Sequence, residues 1–257
     1  MKSLIKKIFN MNSIISLRNN LNIKPIEMSL NKIKKNASVS DSFCWRTDNN
    51  YETIFRFTDL LDLFYKIDGS NIKIIFYNKV GNIIKELEIK NIKKNNQLII
   101  NKKFFDNLED YGTFHIYHLS NKLVNEEIII SNRCYTGFSK QNNLPSFVHG
   151  NALSSYMYLK NDQKIYSDII RTLFQINHTY KIQNQFSKYD KTELFFSNPT
   201  NKIIKFLINE EFHTINKNSC ILLEVNNSSI FTVKSNCLFL RPIIFNYNKD
   251  FIDVLHS

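Results

Sequence analysis

From Ser42 onward the chain is cut into short apolar runs of strand length separated by polar turns, and this rhythm is what most restricts its fold. Successive side chains on a strand point to opposite faces, so a half-buried strand reads as alternating apolar and polar residues. Glu52–Phe57 alternates in this way, and Leu98–Ile100, Tyr111–His118 and Glu127–Asn132 continue the series. Ile72–Tyr77 and Ile83–Ile89 flank Asn78-Lys79-Val80-Gly81-Asn82, where Gly81 and its Asn neighbours tolerate positive φ and mark a hairpin. Thr58 is placed to cap a helical turn over Asp59–Ile67. After a change of pattern at 152–178, short runs resume at Tyr180–Phe186, Glu193–Phe196, Lys202–Ile208, Cys220–Val225, Ser229–Val233 and Leu238–Tyr247. Many short strands with polar turns predict a mainly β chain of β-sandwich (Ig-like) units.

The two β stretches also resemble each other. Phe55-Arg56-Phe57 and Leu194-Phe195-Phe196 each precede a break, and Tyr111–Ile116 is matched by Ser229–Val233. The first stretch closes on Arg133 and, 16 residues later, His149; the second closes on Arg241 and, 15 residues later, His256. Only six Arg and six His occur in the chain, so the coincidence points to an ancient duplication. The expected organisation is a basic leader with a short helix over 1–40, a first β-sandwich unit over 41–151, a helical or irregular linker over 152–179 and a second unit over 180–257.

Composition narrows the function classes. A chain of 257 residues with 21 Phe and 12 Tyr can bury a sizeable core and is not of the disordered type. The net charge of +11 suggests nucleic acid, but only 6 of the 34 basic residues are Arg, whose rigid fork serves base and phosphate recognition. Residues 1–40 carry a net +7, which leaves +4 for the remainder, so no specific nucleic-acid partner is expected. Within that leader, Leu4, Ile5, Ile8, Phe9 and Met11 can form one face of a short basic helix, which reads first as a solvated or loosely docked terminal segment and second as weak membrane-surface or partner contact through residues 1–20. No run approaches the roughly 18 apolar residues of a membrane span. Cys44, Cys134, Cys220 and Cys237 lack CxxC spacing and read as free thiols in a reducing, cytoplasmic setting.

Arg133 and His149 are the leading site candidates. An Arg fork binds carboxylate or phosphate, and a His exchanges a proton near neutral pH. Tyr135, Asn151 and Ser146 can add hydrogen bonds, and Trp45 offers a ring on which a sugar can stack or, as a lone Trp near a strand start more often does, fills a core or sheet edge. A motif present once per repeat nevertheless fits a repeated structural role, fastening each unit's edge, better than a single active centre, and Arg241 and His256 read as structural counterparts. His115 and His118 lie three apart on a strand and so face opposite ways. The carboxylate pairs Asp59/Asp62 and Glu86/Glu88 read as solvated faces. No HExxH, GxGxxG, P-loop or GxSxG occurs, and no catalytic residue, metal or cofactor is predicted.

The segments Ser131-Asn132-Arg133-Cys134-Tyr135-Thr136-Gly137-Phe138 and Pro145-Ser146-Phe147-Val148-His149-Gly150-Asn151 resemble those of uncharacterised bacterial proteins that accompany surface-polysaccharide genes. The resemblance extends from Ser42 to the C terminus and implies a glycan-related context without assigning a reaction. The resulting expectation is a non-enzymatic protein that binds a glycan or a protein partner in a surface-polysaccharide pathway. Its rivals are an enzyme acting on a sugar or glycan, with Arg133 and His149 in a cleft between units, and a structural assembly subunit.

Overall fold

A computed structural model describes residues 2–9, 11, 13–14, 17, 21, 26–28, 37–120, 129–132, 134–140, 143–151, 153–160, 163–168, 170–172, 178–183, 189–225, 230–235, 237, 240–249 and 251–257. The elements are α1 (Lys2–Phe9), β1 (Ile26–Met28), β2 (Ala37–Asp41), β3 (Phe43–Arg46), β4 (Tyr51–Phe57), α2 (Leu60–Tyr65), β5 (Asn71–Asn78), β6 (Ile83–Ile89), β7 (Asn96–Ile100), β8 (Tyr111–Leu119), β9 (Ile129–Asn132), β10 (Tyr135–Lys140) and β11 (Ser146–His149). They continue as β12 (Leu153–Lys160), β13 (Gln163–Asp168), β14 (Ile170–Thr172), β15 (His178–Gln183), β16 (Lys191–Ser197), β17 (Ile204–Ile208), β18 (Glu211–Ile215), β19 (Cys220–Val225), β20 (Ile230–Ser235), β21 (Ile243–Asn248) and β22 (Phe251–His256). The chain is mainly β.

Four four-stranded sheets form two pairs. Sheet I has the order β3-β8-β5-β6 and sheet II the order β11-β10-β4-β7. One apolar cluster draws Phe43, Trp45, Ile74, Phe76 and Phe114 from sheet I and Phe55, Phe57 and Ile100 from sheet II. Sheet III has the order β15-β20-β17-β18 and sheet IV the order β19-β16-β21-β22. A second cluster draws Ile182, Ile204, Phe206 and Val233 from sheet III and Leu194, Phe196 and Ile244 from sheet IV.

The two pairs have the same strand order. Leaving β9 aside, each has eight strands in sequence, ordered 1-6-3-4 in one sheet and 5-2-7-8 in the other. The register agrees as well. Tyr135 on β10 stands opposite Arg56 and His149, and Ile243 on β21 stands opposite Phe195 and His256. This makes Arg56 and Phe195, Tyr135 and Ile243, and His149 and His256 corresponding positions. Phe57 and Phe196 then correspond too, and two residues beyond each lies a buried polar side chain that ties down the next connection. Asp59 Oδ1 accepts from the Leu61 and Asp62 N–H groups at 3.1 and 3.0 Å and from the Ser70 hydroxyl at 2.7 Å. Asn198 Oδ1 accepts from the Thr200 N–H and hydroxyl at 3.1 and 2.7 Å.

Several expectations need correction. The cap of α2 is Asp59, not Thr58, and Asp59 is buried where a solvated carboxylate was expected. The leader does begin with a helix, α1, but it also includes β1 and most of β2. The segment expected to be a helical or irregular linker carries β12, β13 and β14. β12 is the cause of the misreading: it pairs with β2 and β13, Tyr156 packs on Ala37 and Val39, and Met157 packs on Ile75 and Tyr117. A strand buried on both faces loses the alternation that would mark it. β2 runs parallel to β9 in the sheet β13-β12-β2-β9 and reaches sheet I through its serines. The Ser40 and Ser38 hydroxyls accept from the Ile116 and His118 N–H groups of β8 at 2.8 and 2.9 Å.

Candidate functional site

Every residue of β16 from Thr192 to Ser197 is buried, because both faces of sheet IV are covered. Leu194 and Phe196 enter the core of their own pair, while Phe195, Ile243, Phe245 and Val254 turn the other way. There they meet Cys44, Tyr51, Phe138 and Val148 of the first pair in a third apolar cluster, the junction between the two pairs.

A buried Arg sits in this junction. On β3, Phe43 and Trp45 point into the first core, so Cys44 and Arg46 point out of it, toward sheet IV. The Arg46 side chain is fully buried. Its Nε and Nη2 donate to the two Asp48 carboxylate oxygens at 3.0 and 2.6 Å, and its Nη1 donates to Glu193 Oε2 at 2.6 Å and to the Tyr247 hydroxyl at 3.2 Å. The guanidinium lies 4.2 Å from the Tyr51 ring centre and 4.8 Å from that of Phe245. The Tyr51 hydroxyl donates to that of Tyr247 at 2.6 Å, and the Tyr247 hydroxyl donates to Glu193. A buried charge is tolerated when its donors are satisfied in this way. Burial pushes the Glu193 carboxyl up, but the Arg46 charge and hydrogen bonds from Tyr247, Arg46 and Lys191 outweigh it and hold the group below the usual carboxylate range. Burial pushes the Tyr51 and Tyr247 hydroxyls up, so both stay protonated donors. Sequence reading passed over Arg46. The available signal was an Arg directly after Phe43-Cys44-Trp45, on the face of the run opposite to its two aromatics.

The residues singled out from sequence separate into three places. Trp45 is fully buried, donates Nε1 to the Tyr77 carbonyl at 2.9 Å and lies 4.4 Å from the Phe105 ring; it is a core residue and presents no stacking surface. Gly112 is required beside it, since a Cβ there would fall 2.0 Å from the Tyr77 carbonyl oxygen and 2.7 Å from Trp45 Nε1. Arg133 lies outside the described residues. His149 and Asn151 sit on the seam where β11 meets β22. The His149 and His256 rings stack with centroids 4.5 Å apart and planes inclined by 22°. Asn151 Nδ2 donates to the Arg241 carbonyl at 2.5 Å, and the Ser146 hydroxyl accepts from the Val254 N–H at 2.9 Å. Burial lowers the His256 pKa, and the neighbouring His149 and Arg241 charges act in the same direction. The two corresponding His residues thus touch each other across the seam.

Tyr135 belongs to a third place, the outer face of sheet II. It forms a cross-strand pair with His149 and is 56% exposed. Ile54, Gly137, Phe147 and Ile99 are direct cross-strand neighbours on the same face, and Ile99 is 45% exposed. A Cβ at Gly137 would fall 2.6 Å from the Phe147 ring, so the ring lies directly on the glycine backbone. The Arg56 guanidinium covers the Phe147 ring at 4.7 Å, with Nε donating to Gln97 Oε1 at 3.3 Å. A polar hollow is lined by Asp68, Asn71, Glu88, Lys90 and Ser120; of the residues named from sequence it contains Glu88 and none of the ligand-site candidates.

All four cysteines are buried, and none is joined in a disulfide. Among the described residues no three His, Cys, Asp or Glu side chains converge as metal ligands would, and no helix is long and apolar enough to cross a membrane.

No family model and no curated protein matches the chain. Among solved structures, an anti-sigma factor domain-containing protein aligns with 86% of this chain and 81% of its own at 10% identity, with a TM-score of 0.21. A likeness at that level carries no argument about fold or function.

Proposed function

We propose that this chain is a non-enzymatic partner-binding protein built from two copies of one β-sandwich unit, and that the outer face of sheet II receives a protein. The shared strand order, the shared register and the paired Asp59 and Asn198 ties support duplication. Within each unit the second strand pairs with the fifth and the third with the sixth, as in immunoglobulin sandwiches, while the first and seventh strands lie in exchanged sheets and the fourth pairs with the third in place of the fifth.

One observation carries the functional reading. The face that sheet IV buries with Phe195, Ile243 and Val254 corresponds, strand by strand, to the face that sheet II leaves open with Arg56, Tyr135 and Phe147. One copy of this face is closed by a protein surface of aromatics around a buried Arg; the other stands open with Tyr and Arg, residues typical of binding hot spots. A broad sheet face with Ile54, Ile99 and Phe147 on neighbouring strands suits a folded β-rich partner better than a glycan, which needs polar hydrogen-bonding groups ringed around an aromatic plate. The surface-polysaccharide setting rests on the sequence resemblance.

The test compares the full-length protein with a Tyr135→Asp, Ile99→Asp variant of equal melting temperature. A protein captured from the source cells by the wild type, then purified, is expected to bind the variant at least ~10-fold more weakly, a difference of about 1.4 kcal/mol. Equal binding to both sinks the assignment, as does capture of nothing that distinguishes them. A dimer in sedimentation that dissociates in the variant would instead make a second copy the occupant.

A further inference from the structure

We propose that α1 docks the chain on an anionic lipid surface. This rests on residues remote from sheet II and stands apart from the partner-binding reading. Helical spacing sets Leu4, Ile8 and Met11 in one stripe with Ile5 beside it. Leu4, Ile8 and Ile5 of α1 are 63%, 47% and 40% exposed and Met11, just past its end, is 53% exposed, so these four apolar side chains are open to their surroundings. The turn continues past the helix, with the Met11 N–H donating to the Ile8 carbonyl at 3.0 Å. Leu17 and Leu21, further along the same leader, are exposed as well.

Charge selects the occupant. Lys2, Lys6 and Lys7 lie within the same eight-residue helix, Arg18 follows, and Glu27 is the first acidic residue of the chain. An uncharged apolar groove on a protein would accept the leucine and isoleucine stripe, but it would have no use for the basic charge concentrated ahead of Glu27. An anionic bilayer takes both features together: the apolar side chains enter the acyl boundary and the basic groups meet the headgroups. Either signal alone gives weak binding, and a helix this short inserts few side chains. Attachment is therefore reversible and falls with added salt, as screening shortens the reach of the lysines.

The experiment is flotation of the full-length protein with vesicles of phosphatidylcholine alone, or of phosphatidylcholine with about one-third phosphatidylserine. The wild type is expected to float with the anionic vesicles, less so at high salt, and to stay behind with the neutral ones. Leu4→Asp with Ile8→Asp, and separately Lys6→Glu with Lys7→Glu, are expected to lower the bound fraction at least ~10-fold at an unchanged melting temperature, since Leu4 and Ile8 are exposed and, among the described residues, none from α1 joins an apolar core. The inference is overturned if the wild type binds neither vesicle, binds both alike, or binds anionic vesicles as well after either pair of substitutions. The last outcome would place any lipid affinity in the folded body.

Discussion

Arg46 Nη1 and Glu193 Oε2 stand 2.6 Å apart across the junction, joining β3 of the first sheet pair to β16 of the second. The two residues are 147 positions apart in the chain, and both side chains are buried. Removing the Arg would leave the carboxylates of Asp48 and Glu193 without their main partner. Arg46→Ala is expected to cost about 3–5 kcal/mol in urea unfolding, because an uncompensated buried charge is the expensive outcome. Arg46→Met combined with Glu193→Leu should recover most of that loss, giving a large coupling in a double-mutant cycle. Additive single losses would show that the two side chains do not act as a pair.

Glu193 gives the junction a pH dependence of known sign. Its folded pKa is held below the ordinary value near ~4.3, so its ionised form stabilises the fold above that value. The contribution is lost as pH falls through the lowered folded value. In a series of unfolding midpoints against pH, Glu193→Gln should be flat across this acid window where the wild type declines. Parallel curves would show that the group titrates alike in the folded and unfolded chain.

His115 on β8 acts at higher pH. It is buried beside the Tyr77 ring, 5.2 Å between centroids, its Nε2 meets no hydrogen-bond partner among the described residues, and burial lowers its pKa to about 4. In the unfolded chain it takes up a proton near pH ~6.5, so the fold has its full stability above that value and loses it as pH drops toward ~4, by about 3 kcal/mol at the foot of the window. His115→Phe should remove this slope between pH 6.5 and 4. An unchanged slope would assign it to another group.

Gly137 supports the open face by having no side chain. Gly137→Ala is expected to cost about 1–3 kcal/mol, since its Cβ displaces the Phe147 ring and with it the Arg56 contact. In a Phe147→Ala background the same change should cost far less. A similar penalty in both backgrounds would mean that the strain lies in the β10 backbone and not in the ring.

Local chemistry made part of this legible. The β5–β6 hairpin was readable because Gly81, at φ +91°, occupies a turn that side chains disfavour, and β19 was readable to the residue because polar sequence flanks it on both sides. The cap moved from Thr58 to Asp59, a shift of one residue, because a carboxylate can accept from several N–H groups at once. β18 and β22 were missed: Glu211–Ile215 and Phe251–His256 carry polar residues on partly exposed faces and look like turns until their partners are in place.

The sequence by itself determined that the chain is mainly β and that its two stretches carry matching features, because alternation, turns and repeated motifs are written in neighbouring residues. It did not determine what each matching feature does. His149 and His256 hold corresponding positions, yet only the tertiary structure brings their rings together on one seam. Trp45 and Arg46 are adjacent in the chain, yet one fills a core and the other spans a junction, because consecutive residues of a strand face opposite ways and only distant strands decide what each face meets. The same reason leaves the outer face of sheet II open while its counterpart on sheet IV is covered. Alternation defines two faces for every strand, and long-range packing alone selects which of them is buried.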